Sequence, residues 1–206
     1  FLFFVYQPHR LGSKPAAVPG EIAAVTFNQG QSNEAQLLDF VAKVKPDLIL
    51  LQDAQWSVPQ CQARFPGFDV ASRGEFMLVS RFPIEQAAFV MEPRDQGRWI
   101  AARFEVRVNG QPLAIYSVHL MTPRQQLSRF LGGSVVFRHY VATNRGRTDA
   151  RDYRTWLRAR CEVARQLAGV FADEKLPYIV GGDFNTPDHG YIYQQFAGIM
   201  TDAFAA

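Results

Sequence analysis

Leu176-Pro177-Tyr178-Ile179-Val180-Gly181-Gly182-Asp183-Phe184-Asn185-Thr186-Pro187 is the stretch from which the fold is read. Leu176 to Val180 is an apolar run of strand length, and it feeds a glycine pair followed by Asp-Phe-Asn. Thr186 as N-cap with Pro187 at the first helical position then predicts a helix. A buried strand that hands a carboxylate and a carboxamide to its following loop is how open α/β sheets place their sites.

The same arrangement recurs upstream. Ile22 to Phe27 reads as a buried strand ending at Asn28-Gln29-Gly30. Ser32 or Asn33 can cap a helix that carries Leu37, Leu38, Phe40, Val41 and Val44 inward, and Pro46 stops it. Asp47 to Leu51 is a second buried strand, ending in Gln52-Asp53. Strand-length runs follow at 68–71, 75–80, 84–91, 99–108 and 112–118, with Asn109-Gly110 as a two-residue hairpin turn between the last two. The last of these delivers His119 at its end. After an irregular stretch from Leu131 to Thr148, Tyr153, Trp156, Leu157, Ala164, Leu167, Ala168 and Phe171 form the apolar stripe of a long helix, with Arg151, Arg154, Arg158 and Arg165 on its other side. A β-α-β start, a meander, a helix and a final strand predict a mixed α/β domain of α+β type, not a purely parallel sheet.

With 48% hydrophobic and 20% charged residues in 206, the chain has the composition of one globular domain, which excludes disordered and fibrous classes. A net charge of +3 suits anionic substrates but falls short of a dedicated nucleic-acid binder. Cys61 and Cys161 lack zinc-ligand spacing and read as two buried thiols, with one disulfide as the alternative. Residues 1–20 open on Phe1-Leu2-Phe3-Phe4-Val5-Tyr6 and continue into a Pro/Gly/Ala-rich tether, the pattern of the end of a membrane anchor followed by a linker; an N-terminal strand is the alternative. The domain proper is expected over 21–206.

Cleaving a phosphate ester needs a cation against the non-bridging oxygens, an activated water, and donors for developing negative charge. Asp53 and Asp183 are carboxylates suited to a hard divalent ion, Asn28 and Asn185 can orient water or phosphate, and His119 can donate to a phosphoryl oxygen. Each alone is more often a turn, cap or structural residue. Five at the ends of separate strands favour catalysis.

Val180-Gly181-Gly182-Asp183-Phe184-Asn185-Thr186-Pro187 resembles the G-D-F-N signature of the endonuclease/exonuclease/phosphatase superfamily. Four further segments fall in that family's order: Val25-Thr26-Phe27-Asn28, Pro46 to Asp53, Phe76 to Ile84, and Tyr116-Ser117-Val118-His119-Leu120. The resemblance implies a two-sheet β-sandwich flanked by helices, four layers in all. It implies that Asn28 and Asp53 bind the metal, Mg2+ or else Mn2+ or Ca2+. His119 would contact the scissile phosphate, and Asp183, held by Asn185, would orient or deprotonate the attacking water. Two departures stand out. The family's usual Glu is Asp at position 53, which withdraws the carboxylate by roughly 1.5 Å, a shift that Mg2+, with bonds of about 2.0–2.1 Å, tolerates poorly. The family's closing R-I-D strand and S-D-H turn do not occur after Asp183, so roughly fifty residues and two core strands are expected to lie beyond the sequence given, leaving sheet edges uncovered.

From Arg138 to Arg165 the chain carries eight Arg against Asp149, Asp152 and Glu162, a net +5. Arg124, Arg151 and Arg154 are expected to reach substrate phosphate; a solvated helix face with local ion pairs is the competing reading. His119-Leu120-Met121-Thr122-Pro123-Arg124 and the suspected anchor resemble bacterial membrane-attached members of the family. They point to a monomeric phosphohydrolase acting on a lipid headgroup or small phosphate ester or pyrophosphate, membrane-associated or extracytoplasmic, with a cytoplasmic place as the alternative. The competing functions are a DNA nuclease and a catalytically degenerate binding or scaffold module. His9, His139 and His189 receive no role.

Overall fold

A computed structural model describes residues 22–30, 34–91, 97–122, 144–187 and 190–203, with the side chains of 144–152 outside the description. The expected anchor and tether over 1–20, the Ser32/Asn33 cap, and the side chains of Arg124, Arg151 and His189 lie outside the described residues. The chain divides into two compact units, one within Leu11–Leu120 and Glu174–Phe184, the other within Met121–Asp173 and Asn185–Ala206.

The first unit holds eight strands in two sheets. β1 (Ala24–Asn28) runs parallel to β2 (Leu48–Gln52), which is antiparallel to β4 (Phe76–Ser80); β3 (Asp69–Arg73) closes the edge, giving the order β1-β2-β4-β3. The second sheet runs β5 (Ile84–Phe89), β6 (Ala101–Val108), β7 (Gln111–His119) and β8 (Tyr178–Asp183), antiparallel until β8 joins β7 in parallel. The β6–β7 turn has Asn109 at φ 49° and Gly110 at φ 82°, the left-handed pair that an Asn-Gly hairpin turn requires. The fold class is the expected one: α/β, with two mixed sheets stacked as a sandwich.

β2 and β4 are buried on both faces and read as continuous apolar runs. Leu48, Leu50, Phe76 and Leu78 face Ala102, Phe104, Val106 and Ile115 across the sandwich. The alternate residues Ile49, Leu51, Met77 and Val79 face Leu37, Trp56, Cys61 and Phe65, supplied by α1 (Glu34–Val44), α2 (Val58–Arg64) and their flanks. Phe40 was expected inward on α1 but is exposed. The buried stripe centres on Leu37, with Leu38, Val41 and Val44 beside it, and Phe40 falls on the stripe's flank. α2 is an element the periodicity missed. It starts at a capping box in which Ser57 accepts from the Gln60 backbone N–H and Gln60 Oε1 accepts from the Ser57 N–H, with Pro59 in the first turn.

Glu174, the fourth residue before β8, is tied to the second sheet. Its Oε2 accepts from Tyr116 Oη at 2.6 Å and Arg103 Nε at 2.8 Å. Burial pushes the Glu174 carboxyl up, but those hydrogen bonds, another from the Leu176 N–H and the Arg103 charge bring it net down to about 2.

The second unit is α-helical, with α3 (Asn144–Asp173) and α4 (Tyr191–Ala197) packed through Phe171 and Phe196. Ala164, Leu167, Ala168 and Phe171 are buried as the stripe predicts and Tyr153 and Trp156 are half-buried, but Leu157, also placed on the stripe, is exposed with Arg154, Arg158 and Arg165. The helix expected to begin at Thr186-Pro187 begins instead at Tyr191, with Gly190 as its N-cap. Asn185, before the expected cap, adopts φ 47°. Among the described residues no helix is long and apolar enough to cross a membrane.

Candidate active site

Strand direction gathers the site. β1 and β2 are parallel with Asn28 opposite Gln52, and β7 and β8 are parallel with His119 opposite Asp183, so Asn28, Asp53, His119 and Asp183 come to one edge of the sandwich. β4 runs the other way, so its beginning lies at that edge. Glu75, just before Phe76, therefore stands beside Asp53, and its carbonyl accepts from the Ala54 N–H at 2.9 Å. β6 does the same for Arg98, since the His119 N–H bonds the Ile100 carbonyl at 2.9 Å.

The two sheets are joined beneath this edge by Gln52, which is 1% exposed. Its Nε2 donates to Ser117 Oγ on β7 at 2.9 Å, and its Oε1 accepts from Thr26 Oγ1 on β1 at 3.2 Å. A buried carboxamide so fully used fixes one sheet against the other. The glycines bring β8 in close: a Cβ on Gly181 would lie 3.2 Å from Leu50, and one on Gly182, at φ 148°, would lie 2.0 Å from the Val118 carbonyl oxygen. Gly30 is equally confined, with room for a Cβ only at 2.6 Å from Asp53 Oδ2.

His119 is the centre of the polar network. Its Nδ1 lies 2.8 Å from Glu75 Oε1 and 3.8 Å from Asp53 Oδ1, and its Nε2 lies 3.4 Å from Asn28 Nδ2. Asn28 Nδ2 also donates to Asp183 Oδ2 at 3.1 Å, while its Oδ1 accepts from the Gly30 N–H at 2.8 Å. Arg98 Nη2 donates to Glu75 Oε2 at 2.5 Å and lies 3.5 Å from Asp53 Oδ1. Burial lowers the affinity of His119 for a proton, but the Glu75 hydrogen bond and the charges of Glu75, Asp53 and Asp183 more than offset it, so its pKa is raised. Burial likewise raises the Glu75 carboxyl, and the hydrogen bonds from His119 and Arg98 bring it net below the ordinary value.

Glu75 is the site residue that strand-end reasoning missed. Asp53, Glu75 and His119 each place one ligand atom within 4.8 Å of the others. This donor set fits a hard divalent cation. Two carboxylates converge there, faced among the described residues by the Arg98 guanidinium and the His119 ring, and carboxylate oxygens of this kind are the donors a hard divalent ion takes. Asp53 sits at φ 46°, a conformation that Asp and Asn tolerate far better than longer residues, and Glu75 supplies the reach that the shorter side chain gives up. Asn28 turns its Nδ2 toward His119 and Asp183, while its Oδ1 and Asp53 Oδ2 both lie beside Gly30.

Of the other expected residues, Asn185 belongs to the second unit. There its carbonyl accepts from Arg160 Nη2 at 2.5 Å, and Arg160 also lies over the Trp156 ring. Arg154 is exposed on α3 in the same unit. That unit contains a cavity of about 960 Å³ whose lining includes Tyr153, Trp156, Arg160, Thr186, Tyr191 and Ile192.

An acidic seat for a cation beside a carboxylate-bound histidine is chemistry for phosphate esters, and it places the chain among the metal-dependent phosphohydrolases. The sequence profile of the Endonuclease/Exonuclease/phosphatase family matches residues 25–203, and the chain belongs to that family. The fold is similar to that of humanized TDP2 from D. rerio (TM-score 0.57, 16% identity, 87% of this chain and 68% of that one). It is also similar to D. rerio TDP2 complexed with single strand DNA product (0.53, 15%, 87% and 66%) and to SmcL (0.55, 15%, 88% and 69%). The chain thus spans about two thirds of those chains. At such identities the likeness is one of fold. A comparison with curated proteins gives no match.

Proposed function

We propose that the protein hydrolyses a phosphate ester or pyrophosphate carried by a lipid or another small molecule, by attack of water on phosphorus. The observation that carries this reading is the hydrogen-bonded series Glu75–His119–Asn28–Asp183 along one sheet edge. Asn28 and Asp53, with Glu75 beside them, would hold the divalent ion, Mg2+, Mn2+ or Ca2+. When bound, that ion supplies positive charge to the non-bridging phosphoryl oxygens.

The chain's own groups divide the remaining work. Glu75 accepts from His119 Nδ1–H, which fixes the ring and leaves Nε2 facing Asn28 and Asp183. With its pKa raised, the ring takes up a second proton at Nε2 in place of the contact with the Asn28 amide, and it can donate that proton to a phosphoryl oxygen. Asp183, oriented by Asn28 Nδ2, is the acceptor for the proton of the attacking water. Asn185 remains a proposed catalytic residue that holds Asp183, and Arg124, Arg151 and Arg154 remain proposed substrate-side residues. The preference for a lipid or small ester draws support from the run His119-Leu120-Met121-Thr122-Pro123-Arg124, which resembles that of membrane-attached members of the family.

A second reading, DNA as substrate, is favoured by the net +5 of the stretch from Arg138 to Arg165 and by the likeness to a fold seen with single strand DNA product. Parallel assays of bis-p-nitrophenyl phosphate, a lipid pyrophosphate and plasmid DNA with Mg2+ or Mn2+ separate the two. Metal-dependent turnover is expected, and Asp183→Ala is expected to abolish it; an unchanged rate in that variant would remove Asp183 from the mechanism.

A further inference from the structure

The candidate site is divided between the two sheets. Asn28 ends β1 and Asp53 follows β2 in the first sheet, while His119 ends β7 and Asp183 ends β8 in the second. Between the sheets Leu48, Leu50, Phe76 and Leu78 pack against Ala102, Phe104, Val106 and Ile115. Apolar packing of this kind is non-directional, so it holds the sheets together without strictly fixing their offset. A buried hydrogen bond, with its narrow geometry, does fix it.

Gln52 makes such a bond directly beneath the site. It pairs with Asn28 in the β1–β2 register, it precedes Asp53, and its carbonyl accepts from the Gln29 N–H at 2.8 Å. Its Oε1 is held by Thr26 Oγ1 of β1, and its Nε2 donates at 2.9 Å to Ser117 Oγ of β7, two residues before His119. Ser117 is fully buried and stands opposite Gly181, two residues before Asp183. Asn28 and Glu75 also cross between the sheets, but to the reacting groups His119 and Asp183 themselves. The Gln52–Ser117 bond crosses without using any reacting group.

We propose that Gln52 is a positioning residue for the reaction: its bond to Ser117 sets the offset between the half of the site that holds the ion and the half that handles protons. This rests on the reading of Asn28 and Asp53 as ion ligands and of His119 and Asp183 as proton donor and acceptor. Loosening the bond leaves both halves formed but displaced against each other. A displacement of about 1 Å between reacting groups can lower a rate on the order of 100-fold.

The test uses Ser117→Ala, which removes the acceptor on β7 and leaves Gln52 its contacts with Thr26 and the Leu50 carbonyl. Turnover of bis-p-nitrophenyl phosphate and Mn2+ titration calorimetry are compared with wild type at a temperature where circular dichroism shows both proteins folded. The variant's kcat is expected to fall roughly tenfold or more, with KM and Mn2+ affinity within about twofold of wild type. With Co2+ in place of Mn2+, the paramagnetic NMR shifts of the His119 ring protons read the position of the ion relative to the ring, and they are expected to differ between the two proteins. A contact that served stability alone would lower the melting temperature and leave kcat and those shifts unmoved. Unchanged kcat and shifts, or a loss of Mn2+ affinity that accounts for the whole loss of rate, would overturn the proposal and leave the proposed function standing. A wild-type protein that neither binds Mn2+ nor turns over would overturn that function and the proposal with it. Should Ser117→Ala not fold, Thr26→Val, which releases the other end of the Gln52 carboxamide, carries the same comparison.

Discussion

Glu75 Oε1 lies 2.8 Å from His119 Nδ1, joining the start of one strand in the first sheet to the end of another in the second. His119 is 8% exposed, so this contact fixes the direction of its free nitrogen as well as its charge.

Glu75→Gln should therefore leave the fold intact and reduce kcat/KM by about 10- to 100-fold, the usual effect of losing a partner that orients a working histidine. The neutral amide can still bond the ring but no longer favours its protonated form. In the variant the His119 ring pKa, read from its Cε1 proton by NMR in EDTA, should fall relative to wild type. A rate and ring pKa both unchanged would remove Glu75 from any positioning role.

Gln52→Leu deprives Ser117 Oγ and Thr26 Oγ1 of a buried partner. A loss of about 1–3 kcal/mol in urea unfolding is expected. In a double-mutant cycle with Ser117→Ala the two losses should be less than additive, because the second substitution removes a group that the first has already left unsatisfied. Additive losses would mean that the two side chains do not act as one inter-sheet contact.

Gly182→Ala puts a methyl group 2.0 Å from the Val118 carbonyl oxygen at a φ of 148°. The strand pairing between β7 and β8 must give way, and a destabilisation above about 3 kcal/mol is expected. A soluble variant with wild-type melting temperature would show that β8 can shift without penalty.

The depressed carboxyl of Glu174 gives acid sensitivity with a defined sign. Its folded pKa, about 2, lies below the ordinary 4.5, so its contribution is fully present above pH 4.5 and is lost as the pH falls toward 2. It amounts to about 3 kcal/mol at most. Glu174→Gln should be less stable than wild type at neutral pH, with the gap closing as the pH drops from 5 to 3. A gap independent of pH would assign the effect to packing.

Strand ends were legible because an apolar run breaking on a polar residue is a local signal. Asn28, Asp53, His119 and Asp183 all announce themselves in this way, and the sheet edge brings them together. Glu75 and Arg98 do not. They precede β4 and β6, and only the antiparallel pairing of those strands, which is a tertiary fact, turns their beginnings toward the same edge. The start of α4 was misplaced because Thr186-Pro187 and Gly190 both offer helix-start chemistry, and the chain uses Gly190 as the cap. α2 was readable from Ser57-Val58-Pro59-Gln60, where capping chemistry outweighs weak periodicity.

His119 and Asp183 face each other in register, yet the whole of α3 is threaded between their strands. Closing so long a stretch of chain carries an entropic penalty that hairpins such as β6–β7 do not, and parallel pairing across it is slow to form. In refolding, amides of β8 are expected to become protected from exchange after those of β5–β7; protection gained together would contradict this order. The carboxylate proposed to accept water's proton would then arrive after the histidine, so a partly folded chain carries the histidine without the base.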